Sequence, residues 1–512
     1  MSKIRLPFCA LALGVGAMMS CSSEPGESDA SAGAGGSNQS GNEGGASQGG
    51  SDQGGSAQGG SDQGGSAQGG SDQDGQAGAP SDDPGDPFSF DVCRDTVLAS
   101  PQGAWLAFGR CAGDETDGTY LLEVATGDIK QVSTYQANQL VFTPDESRLV
   151  IRAQDRLLVA NTSGTPTPTT FDEAGSANWA MVTPDSSTLI WATGRKKIHA
   201  RALDGSSDAR VLHSSEVDAP MLSANPEGRL LTPDGQHLVF GEEGSMALHR
   251  VVPVDGSAPS KLISALELQV YPSSLTDTRI IALSKDGSAV KVEDIELENG
   301  DSTIVADSLL SAVSADATGI HFGQGHEIHR WQRGGGDPVK ICDSGGQHYF
   351  KTPDGQTLFW YGLTSLHSVS ADGSSGVMDV LDHGGVIGSF YGFGEEPTDL
   401  VILTATGEGE HGIYLADLAT GSSGQLVEAS GATKVGATVA FNGTHTHVLY
   451  FTRESGSDVN RLRAAPVATR EPVTVAEGVW AWGRVPESPR VYYYTDVDGI
   501  TDVLATLHVV VP

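Results

Sequence analysis

One short phrase recurs along this chain from residue 88 onward. It is a turn built on Pro-Asp or Pro-x-Gly, followed at once by four to six residues that alternate apolar side chains. The clear copies are Ser100-Pro101-Gln102-Gly103 with WLAFG, Thr143-Pro144-Asp145 with RLVIR, Thr183-Pro184-Asp185 with TLIWAT, Thr232-Pro233-Asp234-Gly235 with HLVFG, and Thr352-Pro353-Asp354-Gly355 with TLFWYG. Fainter copies begin near Thr276, Ala315, Pro397, Asn442 and Pro486, and the spacing is about 38 to 49 residues. Proline presets φ at the second turn position, Asp and Gly complete the reversal, and the β-branched and aromatic run that follows alternates sides of a sheet. A further apolar run comes about ten residues later, as in TYLLEVATG, RLLVANTSG, KIHARALDG and GIYLADLATG. It closes on another Gly turn and a short third run such as IKQVST.

Three or four strands per unit, repeated at this period, specify the blades of a β-propeller. No segment sustains helical periodicity over a dozen residues, so the fold class is all-β. About ten units can be counted, the last of them short. The count admits one ring of roughly eight to ten blades or two smaller rings in tandem. Because no linker interrupts residues 88–512, one ring is the expectation. The Thr-Pro-Asp-Gly phrase with its aromatic-rich strand resembles the Ser-Pro-Asp-Gly repeat of TolB-type and related WD-like bacterial propellers. The resemblance covers residues 88–512 and implies the fold. It implies no activity, since propellers host many. Members of that family commonly have six to eight blades, fewer than the units counted here.

The chain begins with Lys3 and Arg5, then an apolar stretch from Leu6 to Met19 that is short for a membrane-spanning helix. It ends at Met18-Met19-Ser20-Cys21 and turns abruptly polar. This resembles the lipobox of bacterial lipoproteins, in which the Cys is acylated and becomes the mature N-terminus; Met19 departs from the small residue usual there. The resemblance implies a signal peptide over residues 1–20, lipidation of Cys21, and a protein held at the bacterial cell envelope. Ser22 in place of Asp argues against retention at the inner membrane and for the outer membrane, periplasmic or surface-facing. Residues 21–87 carry almost no large apolar side chains and include the ten-residue repeat GGSDQGGSAQ. Such a segment buries too little surface to offset its ordering entropy and reads as a disordered tether. Its root-mean-square span is roughly 40–50 Å, and pulled taut it reaches about 200 Å.

The formal net charge of −35 over 512 residues repels nucleic acid and anionic lipid headgroups. Nucleic acid is therefore excluded as a partner, and the membrane is met through the lipid alone. Cys93 and Cys111 lie nine residues either side of Gln102, so a hairpin centred there would set them face to face as a disulfide pinning the first blade. Cys342 is left over and reads as a buried, inert thiol. Residues 88–512 contain no Gly-x-Ser-x-Gly elbow, His-Glu-x-x-His or Walker loop, and no cofactor or catalytic residue is assigned. His321, His326 and His329, and more distantly His445 with His447, are the residues a metal would need, because residues two apart on a strand share a face. Their spacing matches no ligand rule, and exposed turn histidines are the plainer reading. Thr495 to Gly499 and Asp114 to Gly118 resemble fragments of calcium loops and read as hairpin turns. The function expected is an envelope-anchored binding or scaffolding module with an envelope or extracellular protein as partner. The alternatives are a propeller enzyme acting on polysaccharide, as lyase or glycoside hydrolase, and a carbohydrate- or metal-sensing surface protein.

Overall fold

A computed structural model describes residues 88–512, apart from short inter-strand segments such as 112–116, 223–228 and 497–503 and the side chains of stretches such as 382–411 and 417–438. The signal peptide, Cys21 and the tether lie outside the described residues, as do parts of both calcium-loop fragments. Among the described residues the strands form ten antiparallel sheets, nine of four strands and one of five. The one helical element among them is a single 3-10 turn at Pro272–Ser274.

Nine of the sheets follow chain order. In the third, Ala177–Val182, Thr188–Thr193, Lys197–Ala202 and Arg210–Ser214 lie side by side. First strands of neighbouring sheets touch one another, which makes them the inner strands of a ring. The tenth sheet breaks the order. Val479–Arg484, Val491–Asp496 and Leu504–Val510 supply three strands, and Phe88–Cys93 from the other end of the domain adds the outer one. Its register runs from Phe88 opposite Val509 to Cys93 opposite Leu504. The last sequence unit is short for this reason: its fourth strand is the first one of the domain. The fold is one ten-bladed β-propeller whose two ends are sealed by hydrogen bonds, so no strand edge is left open at the seam.

The core lies between blades. Blades 3 and 4 share Trp179, Ile190, Ile198, Leu238, Phe240 and Val252, and the seam is packed the same way, with Leu106, Phe108 and Leu122 of blade 1 against Val92, Tyr494, Leu507 and Val509 of blade 10. Each blade is therefore a two-sided wedge, apolar on both faces, which is why its strands read as nearly continuous apolar runs.

The recurring turn has a full hydrogen-bond account. The Thr or Ser that opens it is buried. Its backbone N–H donates to the carbonyl five residues on, and its hydroxyl accepts from that residue's N–H: Arg148 to Thr143 at 3.0 Å, Thr188 to Thr183 at 2.9 Å, His237 to Thr232 at 2.9 Å. The Asp carboxylate accepts the N–H two residues further along, as Gln236 to Asp234 at 2.9 Å and Gln356 to Asp354 at 3.0 Å. The residue after the Asp is left-handed, φ 71° at Gly235 and Gly355, 57° at Glu146 and 60° at Ser186. Where that residue keeps a side chain, the chain is used: Glu146 Oε1 and Ser186 Oγ accept the turn N–H of the preceding blade, from Gln102 and Asp145. Where the turns pack too closely, glycine is required. A Cβ on Gly103 of blade 1 would lie 1.9 Å from the Pro486 carbonyl oxygen of blade 10.

Candidate functional site

A second rule repeats across blades. An aromatic residue on the second strand faces a flat side chain at the same register on the third, and in blades 1, 3, 6 and 7 the outer strand shifts register beside it. Trp191 pairs with His199 at 5.3 Å between ring centroids, Phe322 with His329 at 5.7 Å, Trp360 with His367 at 5.5 Å, Tyr493 with His508 at 4.8 Å, and Phe108 with Tyr120 at 5.8 Å. In blades 3 and 10 the threonine two residues beyond the aromatic meets the imidazole, Thr193 Oγ1 to His199 Nε2 at 2.9 Å and Thr495 Oγ1 to His508 Nε2 at 3.0 Å. The trio aromatic, histidine and threonine is a recurring piece of blade packing.

Blade 4 departs from it. Phe240 pairs in register with Arg250, and the threonine position holds Glu242, only 3% exposed. The imidazole arrives from the next blade: His213, on the outer strand of blade 3, lies over the Phe240 ring at 4.9 Å. Its Nδ1 is 2.8 Å from Ser260 Oγ, and its Nε2 is 3.1 Å from Glu242 Oε1 and 3.0 Å from Ser215 Oγ. Ser215 Oγ donates to the same Glu242 oxygen at 3.2 Å, while Arg250 Nε donates to the other, Oε2, at 2.7 Å. The tautomer that satisfies every group carries its proton on Nε2, so Nδ1 accepts from the Ser260 hydroxyl. Burial lowers the His213 pKa below its ordinary value; Glu242 pulls it up and Arg250 pushes it down. The imidazole is thus neutral near neutral pH, with its acceptor nitrogen aimed at a serine. Places where a repeat abandons its own rule at the expense of burying charge are where a function is to be sought.

The histidines singled out from sequence are not brought together. His321 and His329 belong to adjacent strands of blade 6, but His321 is opposite Arg330 and His329 opposite Phe322, so the two imidazoles point to opposite faces. His321 is 2% exposed; its Nε2–H donates to the Ala371 carbonyl at 2.8 Å, and burial pushes its pKa down to about 4. His326 is exposed in the hairpin turn, and His329 occupies the stacking position with Nε2 at 3.1 Å from Glu327. His445 is the left-handed turn residue of blade 9, φ 56°, while His447 opens the next strand. Among the described residues no group of three or more His, Cys, Asp or Glu is placed to hold a metal ion.

Cys93 and Cys111 are joined, their Cα atoms 5.2 Å apart, but not within one hairpin. Cys93 ends the outer strand of blade 10, whereas Cys111 follows the second strand of blade 1, Trp105–Arg110. The bond therefore crosses the seam of the ring instead of pinning the first blade. Cys342 is half-buried, at the end of the outer strand Val339–Cys342.

Sequence reading missed the blade 4 cluster because its members come from two blades and share no spacing. One signal was present: the strand HLVFGEE ends in acid where its counterparts TLIWAT and VYYYTD place threonine.

No family model matches the chain. No curated protein matches it either. Solved structures similar to it include an oligogalacturonate lyase in complex with manganese, at 13% identity and TM-score 0.35 over 84% of this chain and 98% of that one. Others are Porphyromonas gingivalis dipeptidyl peptidase 4, at 10% identity and TM-score 0.41 over 79% of this chain and 65% of that one, and the eukaryotic initiation factor, at 13% identity and TM-score 0.43 over 65% and 87%. At such identities and scores none of them carries an activity over to this chain.

Proposed function

We propose that the chain is an envelope lipoprotein, anchored through Cys21 at the outer membrane and carrying its propeller on the 21–87 tether as a protein-binding or scaffolding module. The observation that supports this most is where the domain begins. Phe88–Cys93 is the outer strand of blade 10, so the preceding chain joins at the rim, across the blade from the inner strand Val479–Arg484. A propeller offers a partner its inner strands and the loops at the two ends of the ring. Lipid and leash together keep those loops at high effective concentration near the membrane. The net charge of −35 favours neutral or cationic partner surfaces and disfavours nucleic acid.

The test is metabolic labelling with an alkynyl fatty acid, combined with chemical cross-linking in intact cells and mass spectrometry. Wild-type protein should carry the label, sediment with the outer membrane and cross-link to one stoichiometric envelope protein. Cys21→Ser should lose the label and the membrane fraction. Unlabelled wild-type protein would overturn the anchor, and a labelled protein with no cross-linked partner would overturn the scaffold.

A further inference from the structure

The blade 4 cluster has the parts of a nucleophilic centre. A serine hydroxyl is hydrogen-bonded to an imidazole nitrogen at 2.8 Å, and the opposite nitrogen is held by a carboxylate at 3.1 Å. The carboxylate is in turn fixed by an arginine at 2.7 Å. Nucleophile, base and orienter in that sequence are what activates a hydroxyl that is otherwise unreactive. In blades 3 and 10 the equivalent imidazoles meet a threonine at that place, where blade 4 has a carboxylate. Ser260 is half-buried, at the solvent edge of the cluster, so the relay is closed on the carboxylate side and open on the serine side. Beside it one apolar side chain stands out in water, Leu262 at 41% exposure. Leu262 lies opposite Arg250, itself opposite Phe240, and so is on the face of the blade that carries the cluster, while Ser260 directly precedes its strand, Lys261–Ser264.

We propose that Ser260, His213 and Glu242 form a nucleophilic serine site, with Ser260 the nucleophile, His213 the general base and Glu242 its positioning residue, acting on esters of apolar acids. Ser260 Oγ attacks the acyl carbon, forming a C–O bond while its proton passes to His213 Nδ1. As the carbonyl re-forms, the ester C–O bond breaks, and the leaving oxygen takes that proton and departs as the alcohol. Water, deprotonated by the same nitrogen, attacks the acyl-serine; the acyl C–Oγ bond breaks, Oγ takes the proton back from Nδ1, and the acid is released. Glu242 holds the imidazolium through Nε2, and Leu262 receives the acyl chain. The site lies between blades 3 and 4 and stands independently of the anchoring and binding reading.

The test is labelling of the full-length protein with an alkyl fluorophosphonate, followed by peptide mapping. Ser260 Oγ bonds to phosphorus, fluoride leaves with the P–F electron pair, and the serine proton passes through His213 to solvent. The expected result is a single adduct at Ser260, absent in Ser260→Ala and formed about a hundredfold more slowly in His213→Gln, with p-nitrophenyl butyrate hydrolysis lost in parallel. Labelling should also fall on acidification as His213 takes up a proton, the charged groups facing its ring being Glu242 and Arg250. This second readout needs no variant to fold. No adduct at Ser260, an adduct formed no faster than at the turn serines Ser147 and Ser187, or a rate independent of pH would each overturn the proposal.

Discussion

Acidification should weaken the propeller at one identifiable place, the imidazole of His321. The side chain is 2% exposed between blades 6 and 7, its Nε2–H satisfied by the Ala371 carbonyl at 2.8 Å and its Nδ1 without a hydrogen-bond partner. Burial holds its pKa at about 4 in the folded chain, against an ordinary 6.5. The unfolded chain therefore takes up a proton first as pH falls, and the folded state follows only near pH 4. Stability is fully present above pH 6.5 and is lost progressively down to about 4. The gap of about 2.5 pH units corresponds to about 3 kcal/mol. Denaturant unfolding from pH 7 to pH 4 should show the wild type losing about 3 kcal/mol more than His321→Gln. His213, His447 and His508, also lowered by burial, are common to both proteins and drop out of the difference. Parallel stability curves, or a His321 imidazole resonance titrating near pH 6.5, would refute the reasoning.

Glu242→Gln leaves the Arg250 guanidinium opposite a neutral amide between two blades and should cost about 2 kcal/mol in denaturant unfolding at pH 7; a change below about 0.5 kcal/mol would mean the charge is not needed there. Gly103→Ala and Gly164→Ala separate strain from collision. Both residues are left-handed, φ 77° and 71°, but only Gly103 has a neighbour in the way, the Pro486 carbonyl oxygen. Gly164→Ala should cost about 1 kcal/mol and Gly103→Ala at least twice that, read from the same denaturant midpoints. Replacing Cys93 and Cys111 together by Ser frees an 18-residue loop and should lower stability by about 3 kcal/mol. It should also speed hydrogen exchange in Phe88–Cys93, while exchange unchanged at that strand would show that the bond does not hold the seam.

The sequence by itself determined the blade. Thr183, Pro184 and Asp185 specify a turn through local hydrogen bonds, and TLIWAT is a short apolar run and KIHARA an alternating one, so nothing distant is needed to read them. It also carried the reason for a glycine or a polar residue after the Asp, though whether Glu146 or Ser186 reaches a neighbour depends on the next turn's position. Tertiary structure decided three things. It closed the count at ten by pairing Phe88–Cys93 with Leu504–Val510, a contact between residues over four hundred apart in the chain that no local pattern encodes. It sent Cys93 to one blade and Cys111 to the next, because the 18-residue separation fixes only proximity and not which sheets the two ends join. And it assembled His213, Glu242, Arg250 and Ser260 from two blades, while turning His321 and His329 to opposite faces of one. Strand period and turn chemistry are short-range and legible in sequence. Which side chains meet across a blade interface is set by how one wedge packs on another.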